Sequence, residues 1–294
     1  MSLPADTDAD SEAWTPSPRE LDRRRLRRTR SVRRALLASA ATVLVFGVLG
    51  YLVTSSAGWP VVKQAFLDGD AAKDAFPSII KGFGKNVLMF LVAEPLILVL
   101  GGLVAVVRGT RTPALFPLRL VAVVYTDLFR GVPTILLVFL FAFGVPALRL
   151  TGLPTSLFWL ALIALVLSYG AYVAEVFRAG IESVHPSQVA SARALGFSQT
   201  QTMRHVVLPQ AVRRVVPPLL NDFVSLQKDT ALAGAVGVFE GLFAARDYAN
   251  FNFNFTPYIV TAALFVALTV PLARFTDWLG RRTLRRTGAG GAVR

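Results

Sequence analysis

Apolar positions along this chain gather into long runs instead of recurring at steps of three and four. Six runs stand out, at 35–53, 87–107, 118–145, 157–176, 215–238 and 258–279. About 18 consecutive apolar residues are needed to cross a ~30 Å hydrocarbon core. Such a run also covers more than the single stripe of a surface helix. The pattern predicts an all-α polytopic membrane protein of about six transmembrane helices. The third run is interrupted by Asp127, Arg130 and Pro133, and the fifth is the least apolar, carrying Asn221, Asp222, Lys228 and Asp229.

Composition agrees with this. Only 17% of the 294 residues are charged against 54% hydrophobic, and mean hydropathy is +0.54; a soluble chain carries about a quarter charged residues. The absence of cysteine excludes disulfides and thiolate metal sites, and two histidines are too few for a multi-histidine metal centre. A net charge of +13 would suggest nucleic acid in a soluble protein. Here the positions of the charges decide otherwise. If the arginine-rich N-terminal segment is cytoplasmic, six crossings put it on the same side as the 108–117 loop, the 177–214 loop and the C-terminal tail. Every arginine-dense segment then shares one side, as the positive-inside rule requires. Both termini are expected in the cytoplasm, and a nucleic-acid partner is not.

Residues 1–34 read as a disordered tail, acidic at first and then basic from Arg23 to Arg34. The run at 35–53 is expected to be an extra N-terminal helix. A cleaved signal peptide is the rival reading, but its apolar core would be longer than the usual ~7–15 residues. Residues 281–294 form a second basic tail.

The 177–214 loop is the most informative segment. Pro186 suits the first turn of a helix, with Val189, Ala192, Leu195 and Gly196 on one face. Gly196 suits the left-handed residue that ends it, and Ser198 with Gln201 has capping-box spacing. Pro209 is expected to limit this second helix. The result is helix, glycine turn, helix, with an apolar stripe and no core beneath it.

Gly196, nine further residues, then Val206, Val207, Leu208 and Pro209 resemble the cytoplasmic loop of bacterial ABC-importer membrane subunits. Flanking stretches at 128–141, 192–223 and 226–238 narrow the likeness to the polar amino-acid permeases, which handle His, Glu, Gln and Arg. The resemblance covers about 80–280. It implies that Val189, Ala192, Leu195, Gly196, Leu208 and Pro209 form the element that couples to a cytoplasmic ATPase. Two ATPase subunits, a second permease (the same or a similar chain) and an extracytoplasmic amino-acid binding protein are the implied partners. The binding protein would dock on the 54–86 and 239–257 loops. The family's Glu-Ala-Ala is replaced by Ala190, Ser191 and Ala192, so a charged contact at Ala190 is lost while docking by shape survives.

Ionisable groups in hydrocarbon are costly and usually face the bundle interior or a wet cavity. Asp222, Ser225 and Asp229 fall on one helical face, with Asn221 and Lys228 beside them. They read either as a polar wall of a translocation pathway or as groups that satisfy one another, with Lys228 paired to a carboxylate. Pro217 and Pro218 would loosen the cytoplasmic end of this helix. Arg130 either meets a substrate carboxylate or pairs locally. Glu94 has no assigned role beyond packing, or pairing with Arg130 or Lys228.

No phosphate-loop, H-E-x-x-H or G-x-S-x-G pattern occurs. The chain is expected to have no catalytic, cofactor or metal site of its own, with ATP hydrolysed by partner subunits. The expectation is a permease of the bacterial cytoplasmic membrane that imports a polar amino acid, glutamate or glutamine among the candidates. An ATP-independent secondary transporter or channel is the alternative.

Overall fold

The computed structural model describes residues 17–288 except 111 and 150. The acidic stretch at 1–16 and the last six residues lie outside the described residues. Among the described residues the chain is helix, turn and loop, with no strand. It divides into two units, Met1–Val62 and Lys63–Arg294.

The first unit is dominated by α1, Pro18–Thr54. The basic stretch after residue 17 is therefore helical and not the disordered tail expected from its charge. Ser17 caps its first turn, Pro18 occupies a position that needs no N–H, and Glu20 sits where the helix dipole favours an acid. Large apolar residues such as Leu44, Phe46 and Leu52 are exposed along it, as a lipid-facing span requires. A short helix, α2 (Trp59–Phe66), follows.

In the second unit α3 runs from Gly69 to Gly109, starting well before the apolar run at 87. At 1.5 Å per residue its 41 residues reach about 60 Å, twice the hydrocarbon thickness. Its first half is amphipathic: Ala71, Ala75, Ile79, Phe83 and Asn86 are buried at steps of three and four. Asp68 caps it, and the Asp68 N–H donates to Thr256 Oγ1 at 3.0 Å.

The third run is not one straight helix. A 3₁₀ turn at Pro113–Leu115 leads into α4 (Phe116–Gly131), then α5 (Thr134–Phe139), a π turn (Leu140–Gly144) and α6 (Val145–Ala147). The two halves are bent by 106°. Val132 is extended because a residue before proline is disfavoured in helix.

The fourth run becomes α7 (Leu157–Glu182), the most buried of the long helices. It packs closely on α3 because Gly101 has no side chain: a Cβ there would stand 2.5 Å from Val173 Cγ1. Leu165, Val173, Ile97 and Leu226 form the middle of the core.

Next come α8 (Pro186–Ala194), α9 (Gln199–Thr202), a π turn (Met203–Val207) and α10 (Leu208–Asp229). Pro209 does not end a helix as expected. The wider turn accepts the Leu208 N–H at the Met203 carbonyl and absorbs the proline beyond it. Helical structure thus continues from Gln199 to Asp229 and then tightens into a 3₁₀ stretch, Thr230–Val236, closed by Gly237 at φ 97°. The expected 239–257 loop contains α11 (Gly241–Asn252), whose Ala244 and Ala245 pack on Ala75 and Ile79 of α3. The last helix is α12 (Thr256–Gly288).

Four helices among the described residues are long and apolar enough to cross a membrane, and five if the bent pair is one span. The fifth expected span, which becomes α10, falls outside that set because Arg213, Arg214, Asp222, Lys228 and Asp229 lower its hydropathy.

Candidate functional site

The α8–α9 elbow is built by local chemistry. His185 Nδ1 accepts from the Ser187 N–H at 3.2 Å and starts α8. Gly196, at φ 86°, ends it. The Gly196 N–H donates to Arg193 O at 2.9 Å and the Phe197 N–H to Ala192 O at 3.1 Å, a Schellman arrangement. Ser198 N–H then donates to Gln201 Oε1 at 2.8 Å, and Gln201 N–H to Ser198 Oγ at 3.2 Å, completing the capping box.

The apolar stripe of this segment is split between inside and outside. Ala192 is buried and Val189 half-buried, whereas Leu195 is 80% exposed. Gly196, Phe197, Leu208 and Pro209 are exposed with it. The elbow therefore offers a blunt apolar tip with its base fixed to the bundle. Arg214 donates to the Ser183 carbonyl, and Gly180 lets Val215 approach, its would-be Cβ lying 3.1 Å from Val215 Cγ2. These contacts tie α10 to the end of α7.

The six polar candidates within the spans do not share one surface. Asp229 accepts from the Tyr169 hydroxyl at 2.7 Å. Asp222 lies close enough to interact with both Tyr169 and Glu94, and Ser225 is half-buried between Asp222 and Asp229 in sequence. Asn221 is exposed. Lys228 points elsewhere, into an apolar groove with Phe265 and Thr269 of α12. None of Glu94, Asp222 and Asp229 has a cationic partner among the described residues, so neither suggested ion pair of Glu94 forms.

Arg130 belongs to a different cluster. Its Nη1 lies 3.7 Å from Glu175 Oε2 and its guanidinium 5.7 Å from the Tyr172 ring centroid. Arg108 Nη1 donates to the same Glu175 oxygen at 2.9 Å, and Arg178 binds both Glu175 and Glu182. One carboxylate thus joins α3, α4 and α7. Sequence reasoning passed over Tyr169, Tyr172 and Glu175, although their steps of three on one apolar helix were a usable signal.

A further polar hub ties α3 to the start of α11. Asn86 Nδ2 donates to Glu240 Oε2 at 3.0 Å and to Thr230 Oγ1 at 3.2 Å. Glu240 accepts from the N–H groups of Leu242 and Phe243 at 2.8 and 2.6 Å, capping α11. Gly82 and Gly234 leave the space it occupies. Burial pushes the Glu240 carboxyl up from its ordinary range, against these donors and Arg246. No group of three or more potential metal ligands occurs among the described residues.

Three comparisons with known proteins agree. Residues 97–285 match the model of the family described as binding-protein-dependent transport system inner membrane component. The probable glutamine ABC transporter permease protein GlnM of Bacillus subtilis is 35% identical over 71% of this chain and 94% of its own length. The arginine transport system permease protein ArgU of Corynebacterium glutamicum is 30% identical over 85% of this chain and 79% of its own. A crystal structure of an amino acid ABC transporter with histidines superposes with a TM-score of 0.66 at 27% identity, covering 73% of this chain and 98% of that one.

Proposed function

This chain belongs to the binding-protein-dependent transport system inner membrane components, and on that premise we propose that it is the permease subunit of an ATP-driven amino-acid importer. It works as a multi-pass protein of the bacterial cytoplasmic membrane, with both termini and the 177–214 loop inside and α10 counted as a crossing. A second permease pairs with it, two ATPase subunits bind from the cytoplasm, and an extracytoplasmic binding protein delivers the amino acid. The binding protein docks where α11 packs on the outer half of α3. ATP is hydrolysed on the partner chains.

The observation that carries this reading is the exposed tip at Leu195, Gly196 and Phe197 standing on a buried Ala192. A rigid apolar knob suits insertion into a groove of a cytoplasmic ATPase, and needs no carboxylate at Ala190. Closure of the ATPases moves the elbow. The 22 residues of α10 form a lever about 33 Å long that carries the movement to Asp222 and Asp229.

The substrate is a basic amino acid. Acidic groups at Asp222, Asp229 and Glu94, without cationic partners among the described residues, favour an ammonium or guanidinium over a second carboxylate. That favours arginine or histidine over the glutamate or glutamine named as candidates from the resemblance. Relatives named for arginine transport, and a neighbour solved with histidines, support it.

The test is co-purification in mild detergent followed by vesicle uptake. A phosphate-loop ATPase should accompany the chain and be lost on Gly196→Asp. ATP should drive arginine uptake that excess glutamate leaves unchanged. Uptake without ATP or ATPase would replace this reading with a secondary transporter.

A further inference from the structure

A cavity of about 900 Å³ lies between the elbow and the ends of α3, α4 and α7. Its lining holds four arginines, Arg108, Arg119, Arg178 and Arg193, against one carboxylate, Glu182. Arg108 and Arg178 are already engaged by Glu175 and Glu182. Arg119 spends one nitrogen on the Thr110 carbonyl at 3.1 Å, which leaves most of its five donors over. Arg193 has no ion pair or hydrogen bond among the described residues.

From this we infer that the cavity binds a phosphate-bearing anion, held by Arg119 and Arg193. The two guanidiniums come from different helices, α4 and α8, and line the same cavity. That suits a tetrahedral anion with several acceptor oxygens better than a planar carboxylate. Ala190, where related loops carry a glutamate, lines the same cavity. Without that side chain the arginines keep their charge, and an anion from outside takes its place. Bound there, it joins the elbow to α4 and sets the elbow's position. The ligand is either free phosphate from solution or a phospholipid headgroup from the inner leaflet.

The site stands apart from the transport reading, because binding is measured on the purified full chain. Its thermal midpoint is followed in phosphatidylcholine nanodiscs as inorganic phosphate is added, with chloride at matched ionic strength as the control. The measurement is repeated in phosphatidylglycerol nanodiscs without phosphate. Well above the dissociation constant, the bound anion should raise the midpoint by about 5 °C. A rise with phosphate identifies the soluble anion, and a rise only with phosphatidylglycerol identifies the lipid headgroup. Arg193→Gln should abolish the rise, and so should Ala190→Glu, which supplies a carboxylate from the chain itself. Arg193 is exposed and unpaired, so its variant keeps the fold. No rise beyond the chloride and phosphatidylcholine controls, or an equal rise in both variants, overturns the proposal.

Discussion

The Asn86 side chain holds the Glu240 carboxylate at 3.0 Å while its own oxygen accepts the Gly241 N–H at 2.9 Å. One amide on α3 thus satisfies both the cap residue of α11 and the first N–H of that helix. The pair is fully buried, where an unmatched polar group costs about 1–3 kcal/mol. Glu240→Ala should therefore destabilise the protein by about 3 kcal/mol, since it strands the Asn86 amide and two backbone donors. Glu240→Gln keeps one acceptor oxygen but turns its NH2 toward a donor, and should cost less than the alanine variant. Equal loss of thermal midpoint in the two variants would refute the cap.

The same residue should leave a mark on the pH dependence of stability. Burial makes the folded state hold the Glu240 proton more tightly than the unfolded chain, whose glutamate titrates near 4.5. Its contribution is then greatest below that value and declines as pH rises through the folded-state pKa. Denaturation midpoints followed upward from pH 4.5 should fall less steeply in Glu240→Gln than in the wild type. Parallel curves would remove Glu240 as the source.

Gly196 tests backbone shape at the elbow. Its φ of 86° strains any residue with a Cβ, yet the space around it is open. Gly196→Ala should weaken ATPase association severalfold, corresponding to a left-handed penalty of about 1 kcal/mol. Gly196→Asn should lose less, because asparagine tolerates that conformation. If a pulldown ranks Asn below Ala, the tip's side-chain environment and not its turn governs docking.

Gly101→Ala should force α3 away from α7, with a cost of about 1–3 kcal/mol for overpacking. Combining it with Val173→Ala removes the Cγ1 at 2.5 Å but leaves the residue's Cβ at 2.9 Å and the Ala174 nitrogen at 3.1 Å. The double variant should lose less than the sum of the two single losses without returning to the wild-type midpoint, and simple addition would contradict close packing at this point.

Asp229→Asn should reduce ATP-driven arginine uptake about tenfold, equivalent to ~1.4 kcal/mol of lost charge interaction. The amide still accepts from the Tyr169 hydroxyl, so the fold is retained. Glutamine uptake, if measurable, should fall less. Equal effects on both substrates would place Asp229 in structure and not in charge selection.

The apolar runs, the capped elbow and the left-handed glycine were legible in the sequence because each depends on neighbours within a few residues or on the bilayer as solvent. Helix length was less legible. The first half of α3 and the whole of α11 bury alanine-rich stripes against each other, and a hydropathy average does not register an amphipathic face. The π turn before Pro209 was also hidden, since proline at that place equally permits a helix end. The polar pairings were decided by tertiary structure alone. Asn86 meets Glu240 across 154 residues, Arg108 meets Glu175 across 67, and Tyr169 meets Asp229 across 60. Composition shows that buried polar groups need partners, but which ones meet depends on how the helices pack, and here that rests on close approaches such as Gly101 against Val173.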